Sequence, residues 1–191
     1  ACEESGLPVV QCYGMTETCS QFVALSAEDA PYHLGSVGKP LFTTQLRLVG
    51  EHHEIEIQTP ALTPGYLNQP AKFAAKHDGD WYRTGDVGHF DEDGFLYVDG
   101  RLDEMIISGG ENIFPAEVEN VLRQYPGIQE IAVVGRNDQR WGAVPVAVVV
   151  SKHPVDFQQL EAFGREHLAH YKVPKFYLQT DALPKNASGK V

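Results

Sequence analysis

Cationic side chains are scarce in this sequence: 15 Lys and Arg stand against 26 Asp and Glu, a formal net charge of −11. That balance argues against a binder of nucleic acid, whose affinity rests on Lys and Arg meeting phosphates. It leaves room for a small anionic ligand held by local groups such as backbone N–H donors. Cysteine is also sparse. Cys2, Cys12 and Cys19 are odd in number and crowd the start of the chain. No Cys-x-x-Cys pair and no Cys/His cluster with metal spacing occurs. The three are read as reduced thiols that pack as small hydrophobes, in a cytoplasmic protein. Apolar runs are short, and none approaches the roughly 20 residues that a membrane span requires. The opening Ala1-Cys2-Glu3-Glu4-Ser5 lacks the basic and apolar regions of a secretory leader, and it lacks an initiator Met. A fragment or a processed product is therefore expected.

What is present suffices for a folded core. Hydrophobic residues make up 42% of the 191 and charged residues 21%, so a disordered chain is excluded and one ordinary domain or two small ones are expected. The apolar residues 7–10 read as a buried strand leading into a polar loop at Tyr13-Gly14-Met15-Thr16-Glu17. Residues 36–100 are broken every few positions by Gly, Pro, Asn or Asp, which predicts a β-rich subdomain. Strands are predicted at Gln45–Val49, Glu54–Gln58 and residues 95–98. In the second, Ile55 and Ile57 alternate with Glu54, Glu56 and Gln58, the period of a half-buried strand. Asp91-Glu92-Asp93-Gly94 predicts a hairpin turn, and His52-His53 a surface loop.

After Gly100 the pattern changes. Pro115 predicts the first turn of a helix, followed by Val118, Val121 and Leu122 at helical spacing. Residues 131–134 and 144–150 predict covered strands. Phe157, Leu160, Phe163, His167 and Leu168 predict an amphipathic helix over residues 156–170, and residues 173–179 a further strand. His167 and His170 share that helix at a spacing that could suit a metal, without carboxylate or thiol company. The class is α/β (α+β), with a boundary at residues 100–103 and no long linker.

Four segments are richer in polar and glycine residues than their surroundings explain. They are Tyr13-Gly14-Met15-Thr16-Glu17; Trp81-Tyr82-Arg83-Thr84-Gly85-Asp86; Gly100-Arg101-Leu102-Asp103-Glu104 running on to Ser108-Gly109-Gly110-Glu111-Asn112-Ile113; and Pro184-Lys185-Asn186-Ala187-Ser188-Gly189-Lys190. Singly each has a plain reading: a core aromatic at Tyr13, a turn cap at Asp86, a turn before the helix at Gly109-Gly110. Together and in this order they closely resemble the adenylate-forming superfamily of acyl–CoA synthetases, luciferases and peptide-synthetase adenylation domains. The resemblance spans almost the whole chain.

That resemblance implies an enzyme that makes an acyl-adenylate from a carboxylic acid and ATP and, in the ligase branch, passes the acyl group to coenzyme A. It implies that residues 1–101 are the C-terminal portion of a large AMP-binding domain and residues 102–191 a small mobile lid. By resemblance Tyr13 lies against adenine, Thr16 bonds the α-phosphate, and Glu17 holds Mg²⁺, a cation that prefers oxygen ligands. Asp86 takes the ribose hydroxyls, as a two-oxygen acceptor can. Arg101 contacts ribose and phosphate. Asp103 is the hinge, Gly109 and Gly110 line the path of coenzyme A, and Lys190 stabilises the charge that builds during adenylation. The partners expected are a small carboxylic acid, the rest of the large domain and a second copy in a homodimer, with no nucleic acid and no membrane span.

The sequence also departs from the family. The Ser/Thr/Gly-rich phosphate loop should precede Tyr13, where only twelve residues stand. The chain alone is therefore expected to bind ATP poorly and to be inactive. The run Gly14-Met15-Thr16-Glu17-Thr18-Cys19-Ser20-Gln21 resembles the o-succinylbenzoate–CoA ligases of menaquinone synthesis. The run from Ile106 to Pro115 does too, but many medium- and long-chain acyl–CoA ligases share it, and a general fatty or aromatic acyl–CoA ligase is the alternative. Both acids stay open, as does a non-catalytic binding module of another class.

Overall fold

The computed structural model describes residues 9–187 and 189. Contacts divide the chain into two compact units, Ala1–Leu102 and Asp103–Val191.

In the first unit β1 (Cys12–Gly14), β2 (Gln21–Ala24) and β3 (Lys39–Pro40) form a three-stranded antiparallel sheet. A five-stranded sheet follows. Its strands are β4 (Gln45–Val49), β5 (Glu54–Gln58), β6 (His77–Asp78), β7 (Trp81–Phe90) and β8 (Leu96–Arg101), with the short helix α1 (Pro70–Ala74) before β6. The order is β4-β5-β7-β6, and β8 also pairs with β7. Phe22, Val23, Ile55, Ile57, Phe73, Tyr82 and Leu96 make the core. Helix α1 has no counterpart in the sequence reading. It is a single turn begun at Pro70, and it is held by Phe73, which enters that core.

Three sequence expectations need correction here. Val9 and Val10 are 55% and 49% exposed, and the first strand begins at Cys12. Among the described residues they meet no strand to pair with, so apolar character alone does not make them a buried strand. The thiols of Cys12 and Cys19 are exposed and do not pack as hydrophobes. Strand β5 keeps its alternation, yet both its faces are covered: Glu54 and Glu56 are only 6% and 2% exposed. It lies between β4 and β7, and each neighbour lays an arginine over its carboxylates. Arg47 Nε donates to Glu56 at 2.8 Å, and Arg83 Nε donates to Glu54 at 3.0 Å. A buried charge requires partners of this kind. The β7–β8 turn is as expected, with Asp91 Oδ1 accepting the N–H groups of Asp93 and Phe95, a local bond that Asp favours in turns.

The second unit holds β9 (Ile106–Ser108), β10 (Glu111–Ile113), α2 (Pro115–Leu122), β11 (Glu130–Asp138), β12 (Gly142–Val150), α3 (Phe157–His167) and β13 (Phe176–Thr180). The sheet runs β10-β9-β12-β11, and β13 lies parallel to β12 on its other part. Such a parallel return needs a crossover, and α3 provides it. Val118 and Leu122 of α2 and Leu160 of α3 pack with Ile131, Val133, Ala147 and Val149 of the sheet. Helix α3 starts where Asp156 accepts the N–H groups of Gln158 and Gln159, an N-cap. It stops at His167. His170 sits in a separate 3₁₀ turn, His170–Lys172, so the two histidines do not share a helix. Among the described residues no group of three or more His, Cys, Asp or Glu is placed to hold a metal.

Candidate functional site

Three of the residues singled out from sequence converge in the first unit. Asp86 is 8% exposed and lies within β7. The segment from Thr84 to Asp86 is not a turn, and Asp86 caps none; this corrects the simple reading of Thr84-Gly85-Asp86. It is a bulge inside the longest strand of the unit. Along β5 the register passes from Glu54 to Glu56 while along β7 it passes from Val87 to Arg83. The surplus residues loop out. Gly85 takes φ +80, a backbone region that side-chain-bearing residues avoid. The Thr84 hydroxyl donates to Ile55 O at 2.7 Å and accepts the Asp86 N–H at 3.0 Å. A side chain thus replaces the missing ladder bonds and fixes the pose of Asp86.

Both oxygens of that carboxylate are engaged. Arg101, at the end of β8, donates from Nη1 to Oδ1 at 2.7 Å. The Tyr13 hydroxyl, from β1, donates to Oδ2. Tyr13 also packs on Phe22, with ring centroids 4.5 Å apart. Burial and the neighbouring Asp86 charge push the Tyr13 hydroxyl well above its ordinary pKa, so it stays a donor. The result is an anionic group carrying one cation and one phenol, beside an aromatic ring.

Thr16 and Glu17 lie in the 3₁₀ turn Thr16–Thr18 that follows β1. Thr16 is exposed and Glu17 half-buried. The Tyr66 hydroxyl donates to Glu17 Oε1, and the Tyr82 hydroxyl lies 3.1 Å from that of Tyr66. Sequence reasoning missed Tyr66 altogether and took Tyr82 only as part of a motif. Gly65-Tyr66 after a Thr-Pro pair was the only available signal.

In the second unit Gly109 and Gly110 make the turn between β9 and β10, with φ +63 and +91. Gly109 N donates to Trp141 O at 2.8 Å. A Cβ on Gly109 would come within 2.7 Å of the Trp141 ring, whereas one on Gly110 would meet open space. Asp103 stands in the 3₁₀ turn Leu102–Glu104, where the two units divide. Lys190 lies outside the described residues.

The pattern of the AMP-binding enzyme family matches residues 2–67, and that of the AMP-binding enzyme C-terminal domain matches residues 117–190. The chain belongs to the AMP-binding enzymes. Across its whole length it is 48% identical to the 2-succinylbenzoate–CoA ligase of Bacillus licheniformis and 45% identical to that of Listeria monocytogenes. It spans about two fifths of these relatives, 41% and 40% of their lengths. Among solved structures it superposes on the o-succinylbenzoate CoA synthetase of Bacillus subtilis in complex with the acyl-adenylate intermediate. The TM-score there is 0.95 at 44% identity, over 100% of this chain and 41% of that one. An anthranilate CoA ligase in complex with anthranoyl-AMP gives 0.90 at 30% identity, over 100% of this chain and 39% of that one. The first family stretch includes Tyr13, Thr16 and Glu17, and the second includes Lys190. Asp86, Arg101, Asp103, Gly109 and Gly110 fall between the two.

Proposed function

We propose that this chain is the C-terminal portion of an ATP-dependent acid–CoA ligase whose acid is o-succinylbenzoate, acting in menaquinone synthesis. The observation that carries the reading is similarity along the whole of this chain to 2-succinylbenzoate–CoA ligases, at 45–48% identity. The geometry of the first unit supports it. The Asp86 oxygens each have a second lone pair beyond the bonds to Tyr13 and Arg101, so a ribose diol fits onto them. Arg101 orients that carboxylate through the bond to Oδ1. Tyr13 offers its ring face to the base.

The Glu17 carboxylate fits a magnesium ion: it is half-buried in the turn after β1, and Oε1 is held by Tyr66. Mg²⁺ commonly takes one or two carboxylates and completes its shell with water and phosphate oxygens. When bound it would offset phosphate charge. The Thr16 hydroxyl would donate to the α-phosphate. Lys190 would place a cation where negative charge builds as the acid attacks that phosphate and pyrophosphate leaves. A swing at Asp103 would then bring Gly109 and Gly110 to the thiol substrate, their lack of side chains admitting its pantetheine arm. A ligase drawing on ATP and coenzyme A works where those pools are, so the proposal puts the parent protein in the cytoplasm. No helix among the described residues is long and apolar enough to cross a membrane.

The test is ATP- and CoA-dependent pyrophosphate release by the full-length protein, across o-succinylbenzoate, fatty acids and aromatic acids. Turnover of o-succinylbenzoate is the expected result. Turnover of the other acids alone would keep the ligase chemistry and discard the acid. Absence of turnover with all of them would leave a non-catalytic binding module.

A further inference from the structure

We propose that Tyr66 is a positioning residue for the Glu17 carboxylate, backed by Tyr82 in a directed chain of hydroxyls. The inference rests on the reading of Glu17 as a metal ligand and extends it to residues that reading does not use. A single 3₁₀ turn cannot by itself hold a glutamate with three rotatable side-chain bonds, and this turn is only Thr16–Thr18. The loop around residues 63–66 supplies what is missing. Thr63 N donates to Glu17 O at 2.7 Å, which pins the main chain of the turn. Tyr66 then pins the side chain through Oε1.

Each tyrosine has one hydroxyl proton, so the direction of the chain is determined. Tyr66 spends its proton on Glu17 and must accept at its oxygen. Tyr82, 3.1 Å away, is therefore the donor to Tyr66. Tyr82 is 1% exposed, and this bond is what satisfies its buried hydroxyl. The rings are fixed by packing: Tyr66 meets Phe73 edge-on at 5.4 Å, and Tyr82 meets the same ring at 5.4 Å. The consequence is a carboxylate tethered at Oε1. This is the arrangement in which a hydrogen bond behind a ligand tunes metal affinity, with losses of about 10–100-fold when it is removed.

The experiment uses the full-length protein and, as probe, the Mn²⁺ complex of a non-hydrolysable ATP analogue, its bound fraction read by electron paramagnetic resonance. Glu17→Gln is the reference. Tyr66→Phe keeps the ring and removes the tether, and is expected to weaken Mn²⁺–nucleotide binding by about tenfold. Tyr82→Phe leaves the tether in place and is expected to weaken binding less, although it too removes a buried hydroxyl. Unchanged affinity in Tyr66→Phe, with weakened affinity in Glu17→Gln, would overturn the proposal. Equal losses in both tyrosine variants, tracking their unfolding midpoints, would overturn it as well, because packing alone would then explain them. If Glu17→Gln itself binds normally, the metal reading of Glu17 fails and the proposal falls with it.

Discussion

Asp86 is the residue whose surroundings say most. A carboxylate within a strand, nearly buried, would be costly without its cation and its phenol, and the bulge at Gly85 exists to bring it there. Removing its charge should therefore weaken nucleotide binding more than folding. In the full-length protein Asp86→Asn is expected to lower ATP affinity by about tenfold or more, as loss of a hydrogen bond to a charged group does. Calorimetric titration with ATP checks this, and unaltered affinity would remove Asp86 from the site. Asp91 differs, because its bonds belong to the fold. Burial works against its ionised form, but the N–H groups of Phe95 and Asp93 and the His33 ring outweigh that and hold its pKa below the ordinary value. A carboxylate depressed in the folded state stabilises above its unfolded pKa, about 3.9, and loses that effect as pH falls through the lower folded value. The advantage of the native protein over Asp91→Asn should thus be full above about pH 4 and fade below it. Chemical unfolding at a series of pH values would show it, and an advantage that grew on acidification would contradict the assignment.

At the scale of elements, β5 shows how a pattern can be read correctly and its setting missed. Its alternation was plain in Glu54–Gln58, but the burial of both faces comes from Arg47 and Arg83 on two other strands. Arg47 also lies over the Trp81 ring, 4.4 Å from its centroid. Arg47→Met should leave Glu56 with the more distant Arg83, whose Nε lies 3.8 Å from Oε1, and cost about 2 kcal/mol. That is less than the 3–5 typical of fully buried pairs, because the arginine side chain is 38% exposed. Urea unfolding measures the loss, and a neutral outcome would mean that water reaches Glu56. The β9–β10 turn offers a paired comparison. Gly109→Ala and Gly110→Ala each meet an unfavourable left-handed backbone, worth about 1 kcal/mol. Only the first also drives a methyl group against Trp141. Gly109→Ala should therefore destabilise more in thermal melts, and the reverse order would refute that account of the turn.

At the scale of the whole molecule, the two units each own a core. Val118, Leu122, Leu160, Ile131 and Val149 belong to one cluster, and Phe22, Ile55, Ile57 and Leu96 to another. Strands β9 to β13 find all their partners inside the second unit. Residues 103–191 expressed alone should accordingly unfold in one cooperative step, followed by circular dichroism. A gradual, non-cooperative loss of signal would mean that this core depends on the rest of the protein.

Much of this was legible in the residues themselves. Local rules governed Pro115 at the start of α2, the Asp91–Gly94 turn, the extents of β4 and β5, and the succession of helix and strands from Pro115 on; the short strands β9 and β10 ahead of it were not foreseen. Order along the chain was enough to recognise the four motifs and the family they resemble. What the sequence could not specify was contact at a distance. Tyr13 meets Asp86 73 positions away, and Tyr66 meets Glu17 across 49. Neither bond has a local period or a turn propensity to announce it. The bulge at Thr84–Asp86 read as a turn because Thr, Gly and Asp favour turns; two flanking strands drew it into a sheet instead, with the Thr84 hydroxyl bridging the gap. Propensity and periodicity belong to neighbours along the chain, and the sequence determines them directly. Where a carboxylate finds its cation or its phenol is decided only when separate strands pack side by side.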